Sequence, residues 1–164
     1  MTVMRAAVLR QHGRPPEYGS HPSPRRGPGE ALIRVTAAPV NPLDLLCASG
    51  TSYFGPPALP YVPGAQGTGT VAGADGLPAG QRVWFSSTAG MRPGDGAMAE
   101  LCVVPEAATN MLSGEQRARA MREVLTHAAA GRLTTDLEIM PLEKAAEGWS
   151  SCGQAPHRRA VLVP

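Results

Sequence analysis

Hydrophobic and polar positions divide the chain into two parts with different periods. In the first hundred residues, apolar side chains form short runs that are bounded by Gly and Pro, which is typical of strands. Five such runs are predicted as strands, at residues 4–9, 30–37, 68–73, 81–85 and 97–104. Many short strands between turn signals favour a compact, barrel-like β domain.

The stretch between the first two predicted strands is rich in proline. It contains Pro15, Pro16, Pro22, Pro24 and Pro28. Proline removes a backbone donor and fixes φ, so this stretch cannot be helical. The sequence predicts a long loop here, one that would be mobile if nothing packs on it.

The pattern becomes helical towards the C-terminus. A capping box, Ser113 to Gln116, opens a helix that Gly131 ends. After a short strand, a second helix begins with Pro141 in its first turn, and residues 160–163 form a last strand. The apolar positions are Met121, Leu125 and Ala128 in the first helix and Leu142, Ala145, Ala146 and Trp149 in the second. Because the helices follow the main run of strands, the pattern predicts an α+β domain.

Composition narrows the choice of architecture and partner. The 164 residues include 19 glycines and 17 prolines, which excludes a helical bundle or a coiled coil. The length favours one domain. A net charge of +2, from 15 basic and 13 acidic residues without long blocks of like charge, does not indicate a nucleic-acid surface.

Cysteine usage and hydropathy bear on the compartment. Cys47, Cys102 and Cys152 are far apart and odd in number, so neither a disulfide framework nor a structural zinc site is expected. No apolar run approaches the roughly 18 to 20 residues that span a bilayer, and the N-terminus lacks a signal-peptide cleavage site. We therefore predict a cytoplasmic protein that does not bind membranes.

Seven phrases of the sequence resemble one superfamily in composition and order. They are MRAAVL, EALIRV, APVNPLDLLCASG, LPYVPGAQGTGTV, AGQRV, GAMAELCVVP and MPLEKAAEGW. The chain thus resembles the medium-chain dehydrogenase/reductases, and in particular the quinone oxidoreductase branch, which carries N-P-x-D where zinc alcohol dehydrogenases carry a cysteine. The resemblance implies a GroES-like catalytic domain, a partly open β-barrel with a few helices, followed by helix, strand, helix and strand.

The same resemblance points to a missing part. In the family, a Rossmann domain with a glycine-rich dinucleotide turn separates two segments that are joined here at about residues 106–113. The glycines of this chain's own cluster, Gly67, Gly69 and Gly73, precede Ala74-Asp75-Gly76 and not a helix, so no helix dipole is available for a pyrophosphate. We expect residues 1–164 to form a single GroES-like domain with no Rossmann domain and no cofactor.

The resemblance places Asn41, Asp44 and Tyr53 at the edge of the substrate pocket as candidate catalytic residues. Asp44 would act as a base or a hydrogen-bond acceptor, or it would only stabilise a helix N-terminus by about 0.3–1 kcal/mol. Tyr53 would donate a hydrogen bond to a carbonyl or enol oxygen. Alternatively, Tyr53 and Phe54 only plug the mouth of the barrel.

Gln66, Trp84 and Phe54 are the candidate substrate-binding residues. Gln66 stands where much of the family has Glu, and an amide serves neither as a carboxylate ligand nor as a base. Since Asn41 occupies the position of the first zinc ligand and no His precedes Gln66, no metal site is expected. Trp84 either lines an apolar cavity or packs in the core. The remaining candidates, expected to be surface or hydrogen-bonded histidines, are His12, His21, His127 and His157.

Three functional hypotheses follow from the resemblance. The first is a cofactor-independent enzyme of biosynthesis that binds an apolar, unsaturated, polyketide-like small molecule and promotes cyclisation, isomerisation or addition. The second is a non-catalytic binding module or homodimer that covers the exposed cleft wall. The third is an NADPH-dependent quinone oxidoreductase-like protein that another chain completes.

Overall fold

Eight strands and four helices make up the computed structural model, which describes residues 2–109, 115–154 and 158–164. The strands are β1 (Val3–Val8), β2 (Glu17–Pro22), β3 (Glu30–Pro39), β4 (Gln66–Gly73), β5 (Arg82–Ser86), β6 (Leu101–Pro105), β7 (Asp136–Pro141) and β8 (Arg158–Val163). The helices are α1 (Pro42–Ala48), α2 (Glu106–Thr109), α3 (Glu115–Ala129) and α4 (Ala145–Gln154), and a 3-10 turn at Leu142–Lys144 precedes α4.

Strand β3 is the centre of the larger sheet. It pairs antiparallel with β4 on one side, and on the other side with β6 along its first half and β8 along its second half. The sheet therefore runs β5–β4–β3–β8–β7, with β7 parallel to β8. Ala31, Ile33 and Val35 alternate into the core from β3, which is the period expected of a strand with one buried face. The α+β class is confirmed, and the sheets of the described residues stay open.

The prediction of a long loop between the first two strands is wrong for part of its length. Residues 17–22 form β2, which pairs antiparallel with β1 in the register Met4 to His21 and Ala6 to Gly19. Four of the five prolines lie outside the strand, and Pro22 is its last residue, so no proline interrupts the ladder.

The C-terminal segment completes the core of the N-terminal strands. β8 pairs with β3 at Ala38–Leu162, and the buried Leu142 and Trp149 from the 3-10 turn and α4 belong to the same apolar cluster as the strands. The predicted helix after Pro141 is confirmed, although its first turn is 3-10. Ala146 is exposed and does not share the buried side.

Helix α3 confirms the first predicted helix, and Gly131 ends it with a φ of 69°. Its predicted capping box cannot be compared, because Ser113 lies outside the described residues. Leu125 is 59% exposed and Val124 49% exposed, so these apolar positions are not packed against the core. No helix in the described part of the chain has the length and hydropathy to cross a membrane.

Candidate functional site

The N-P-x-D motif, Asn41 to Asp44, forms the start of helix α1, and the Asp44 carboxylate hydrogen-bonds to the backbone there. Its Oδ2 accepts the Asn41 N–H at 2.9 Å, while its Oδ1 accepts the N–H groups of Ala65 at 2.8 Å and Gly64 at 3.2 Å. The side chain is buried, with 3% of the residue exposed. Burial raises the pKa of Asp44, although the three N–H donors and the charge of Arg159 oppose that rise. The carboxylate thus ties α1 to the segment before β4.

Asn41 and Gln66 line one cavity of about 410 Å³, which we call the amide pocket. The first residue precedes α1 and the second begins β4, so the start of a helix and the start of a strand place the two residues together. The Ser87 hydroxyl donates to the Gly64 carbonyl at 2.9 Å and fixes the loop after β5 against this segment. The lining residues are Asn41, Pro42, Leu43, Ala65, Gln66, Ser86, Ser87 and Met91.

Tyr53 and Phe54 lie away from the amide pocket. Tyr53 is 83% exposed, and its ring packs on that of Phe54 with centroids 4.1 Å apart. Phe54 is 42% exposed and lines a different cavity. The structure therefore does not bring Tyr53 together with Asn41 and Gln66 in the amide pocket.

Trp84 and Phe85 point to different environments on β5. Phe85 is fully buried in the core. Trp84 is half-buried, sits opposite Thr68 of β4, and lines neither of the cavities that hold the other candidate residues. Its role in substrate contact stays a prediction.

A histidine and an aspartate that the sequence did not single out as a pair meet in the second cavity. His21 Nε2 lies 2.8 Å from Asp95 Oδ2, and both residues line a cavity of about 410 Å³ that we call the histidine pocket. Its lining comprises His21 and residues 54–58, 60–61 and 90–95. The partners are far apart in the chain, and only the pairing of β2 with β1 puts His21 there, so no spacing motif could have revealed them.

Titratable groups near these cavities are perturbed mainly by burial. Burial raises the pKa of Tyr61, which lines the histidine pocket, and that of Cys47 behind it. Burial also raises the pKa of the Cys102 thiol, which lies beside Asp95, to about 12. Tyrosine and cysteine are already neutral at pH 7 at their ordinary pKa values, and these upward shifts make all three groups harder still to ionise.

Within the part of the chain that the structure describes, the glycine cluster of β4 is not shaped to hold a dinucleotide. A Cβ added at Gly67 would lie 2.7 Å from the ring of Phe85, and one added at Gly69 would meet the carbonyl oxygen of Arg34. These glycines therefore make room for neighbouring protein atoms, and β4 leads through a turn into β5 without a helix.

The described residues do not offer a metal site of three or more His, Cys, Asp or Glu side chains. The positions where the resemblance would place zinc ligands are occupied by Asn41, Ala65 and Gln66. Two carboxamides and an alanine do not make a zinc donor set. The residues present thus fit neither a zinc ion nor a dinucleotide, and the expectation of no metal and no nucleotide stays a prediction.

The architecture is that of a GroES-like type of domain. It has an open sheet centred on β3, a short helix directly after β3, and a C-terminal helix and strand that pack against the sheet. The alcohol dehydrogenase GroES-like domain family matches residues 27–114. The chain therefore belongs to this family, and with it to the medium-chain dehydrogenase/reductase superfamily.

Known proteins resemble the chain over parts of different size. An alcohol dehydrogenase of Rhizobium meliloti (strain 1021) is 40% identical over 70 residues, which are 43% of this chain and 20% of that protein. The chain thus spans about a fifth of the length of that curated relative.

Two solved structures share the fold. A thermostable alcohol dehydrogenase from Pyrobaculum aerophilum superposes with a TM-score of 0.73 at 15% identity, covering 99% of this chain and 100% of that one. A mycobacterial quinone oxidoreductase gives 0.55 at 24% identity, covering 96% of this chain and 51% of that one. At these identities the likeness concerns the fold alone.

Proposed function

We propose that the protein binds an apolar, unsaturated small molecule with a carbonyl group in the amide pocket, without a nucleotide cofactor, and promotes its cyclisation, isomerisation or addition. The observation that carries this proposal is that Asn41 and Gln66 line the same cavity of about 410 Å³. That volume lies within the range of about 300–1,000 Å³ that small-molecule sites occupy.

The lining of the amide pocket sets the kind of ligand. Pro42, Leu43, Ala65 and Met91 supply apolar contact, while the carboxamides supply donors and acceptors. None of the lining residues, all in the described part of the chain, is an acid, a base or a cysteine. A neutral ligand therefore fits better than a charged one.

The pocket would accelerate a reaction by position and polarisation. A carboxamide N–H that donates to the ligand carbonyl would stabilise negative charge as it develops on that oxygen. Holding reacting atoms in contact can replace a bimolecular encounter with effective molarities on the order of 10⁵ M or more. Such a mechanism asks for no hydride donor, in keeping with the poor fit of a dinucleotide to Gly67 and Gly69.

The proposal treats the chain as one GroES-like domain from which the family's nucleotide-binding domain is missing at about residues 106–113. Strand β6 ends at Pro105 and α3 begins at Glu115, which leaves no room for a Rossmann domain between them. A polyketide-like ligand and a role in cytoplasmic biosynthesis belong to the same proposal.

The second candidate function is a non-catalytic module that forms a homodimer. The exposure of apolar residues on two elements, Leu125 on α3 and Leu137 and Ile139 on β7, favours it. A two-fold contact through such residues would bury surface that costs free energy in water.

The test titrates the full chain with 2-cyclohexenone, an enone probe, and follows tryptophan fluorescence and the probe's own absorbance. Asn41→Ala and Gln66→Ala should each weaken binding by about 2- to 10-fold, the effect of one net hydrogen bond. Gln81→Ala, an exposed glutamine before β5, serves as the matched control.

The outcomes separate the candidates. Binding with slow conversion of the probe supports the enzyme, while binding without any conversion supports the non-catalytic module. Sedimentation would detect the homodimer that the module is proposed to form. Micromolar binding of NADPH would overturn the cofactor-free proposal and favour a reductase that another chain completes. Equal effects of all three variants would remove Asn41 and Gln66 from the site.

A further inference from the structure

The histidine pocket contains an oriented imidazole that the proposed function leaves unused. His21 Nε2 lies 2.8 Å from Asp95 Oδ2, with 13% and 30% of the two side chains exposed. An ionised carboxylate only accepts hydrogen bonds, so Nε2 carries the proton and donates it.

Asp95 is itself held from a second direction. Its Oδ1 accepts the Val62 N–H at 2.8 Å, so both carboxylate oxygens have protein donors. A base or donor that is oriented by a third, fixed group is the arrangement proteins use to hold a functional histidine. An exposed ion pair would not need such support.

The walls of the histidine pocket combine one free cation with apolar surface. Arg92 is exposed on the lining. Its backbone N–H donates to the Thr88 carbonyl at 2.9 Å, but its guanidinium makes no hydrogen bond or ion pair with any residue in the described ranges. The ring of Phe54 and the prolines Pro56 and Pro57 face the same space. Because both oxygens of Asp95 already accept from protein donors, the unpaired guanidinium is the charged group left to bind a ligand.

We propose that the histidine pocket is a second binding site, which takes small carboxylic acids with an aromatic or alkenyl body. The Arg92 guanidinium pairs with the carboxylate, since its planar donors match that group. Phe54, the neighbouring prolines and the imidazole ring of His21 contact the body of the ligand. The site adjoins the amide pocket at Met91, which lines both, but its ligand is anionic where the proposed ligand of the amide pocket is neutral.

The test uses benzoate as the probe and benzamide as its neutral counterpart on the full chain. Calorimetry measures affinity, and the imidazole resonances of the histidines in NMR spectra report the location. We expect benzoate to bind with a Kd on the order of 1 mM, as suits so small a ligand, and to shift the His21 resonances. Benzamide should bind about tenfold more weakly, because it cannot form the charged pair.

Variants of two exposed arginines provide the decisive comparison. Arg92→Gln should weaken benzoate binding by about tenfold, whereas Arg82→Gln on the edge strand β5 should leave it unchanged. His21→Gln should also weaken it. If that variant does not fold, Arg92→Gln still decides, because the Arg92 side chain has no structural partner among the described residues.

Three results would overturn the proposal. They are benzoate binding that Arg92→Gln leaves intact, equal affinity for benzoate and benzamide, and binding that shifts other histidine resonances but not those of His21. Loss of enone binding in Asn41→Ala with benzoate binding unchanged would support two independent sites.

Discussion

Replacing Asp44 tests whether this carboxylate is a structural brace. Asp44→Ala leaves three backbone donors, the N–H groups of Asn41, Gly64 and Ala65, without their acceptor. Each unpaired buried donor costs about 1–3 kcal/mol. The variant also removes the cost of burying the Asp44 charge, which the raised pKa of Asp44 reflects, and this offsets part of the stability lost by the unpaired donors. We expect a net loss of about 3–5 kcal/mol in the free energy of unfolding.

Asp44→Asn should cost less. Its amide oxygen can still accept from Gly64 and Ala65, and only the contact with the Asn41 N–H is lost, for about 1–3 kcal/mol. A helix-dipole role alone would be worth about 0.3–1 kcal/mol, so the asparagine variant separates the two explanations.

Urea unfolding followed by the fluorescence of Trp84 and Trp149 measures these differences. Asp136→Ala is the matched control, because Asp136 is exposed and its ion pair with Arg158 is 3.6 Å long, which is worth at most about 1 kcal/mol. Equal losses in Asp44→Ala and Asp136→Ala would refute the brace, and so would a stability loss for Asp44→Asn as large as that for Asp44→Ala.

Three further predictions concern the thiol, the packed glycines and the exposed tyrosine. The Cys102 thiol has a pKa of about 12 in the folded state and 9.0 ordinarily, so the folded state keeps a proton that the unfolded chain loses as pH rises. The free energy of unfolding should therefore fall by about 1.4 kcal/mol between pH 8 and 10. Cys102→Ala should abolish that part of the pH dependence in urea titrations. Gly69→Ala forces the new Cβ onto the Arg34 carbonyl oxygen and should cost about 1–3 kcal/mol, while Gly73→Ala, whose nearest neighbour would be 3.6 Å away, should change the midpoint little. Tyr53→Phe should alter the free energy of unfolding by less than about 0.5 kcal/mol, and an unchanged enone affinity would exclude Tyr53 from the site.

The strands that the sequence predicts are those with an alternating or continuous apolar pattern. β3 and β4 lie within two residues of their predicted bounds, because Ile33, Val35 and Val71 must face the core whatever the neighbours are. β2 has no such pattern. Its sequence, EYGSHP, is extended because β1 offers it backbone partners, and pairing of that kind is not visible in a local window.

The candidate site divides in the same way. Asn41 and Gln66, which the resemblance places near each other, line one pocket because Asn41 directly precedes α1 and Gln66 begins β4, two elements whose positions the fold fixes. Tyr53 sits in the loop after α1, where side-chain direction depends on turns and prolines, and it points to solvent. His21 and Asp95 belong to elements that meet only through tertiary pairing, so their contact could not be predicted from spacing.

The contacts around residue 106 explain how the domain remains whole where the family's second domain is proposed to be missing. Glu106 follows β6 directly, and its carboxylate accepts the N–H groups of Asp75 and Gly76 in the turn between β4 and β5. The carboxylate of Asp75 in turn accepts from Gly29 and Arg26, which join the turn to the start of β3.

On the other side of the junction, α4 and β8 bury Trp149 and Leu162 in the same core as the strands. The segments that flank residues 106–114 are therefore each anchored independently of what lies between them. After the junction, apolar residues stay uncovered on two elements, Leu125 on α3 and Leu137 and Ile139 on β7. The proposed loss of the nucleotide-binding domain would account for this exposure, because it would have removed the surface against which these residues packed while leaving the contacts of α4 and β8 intact.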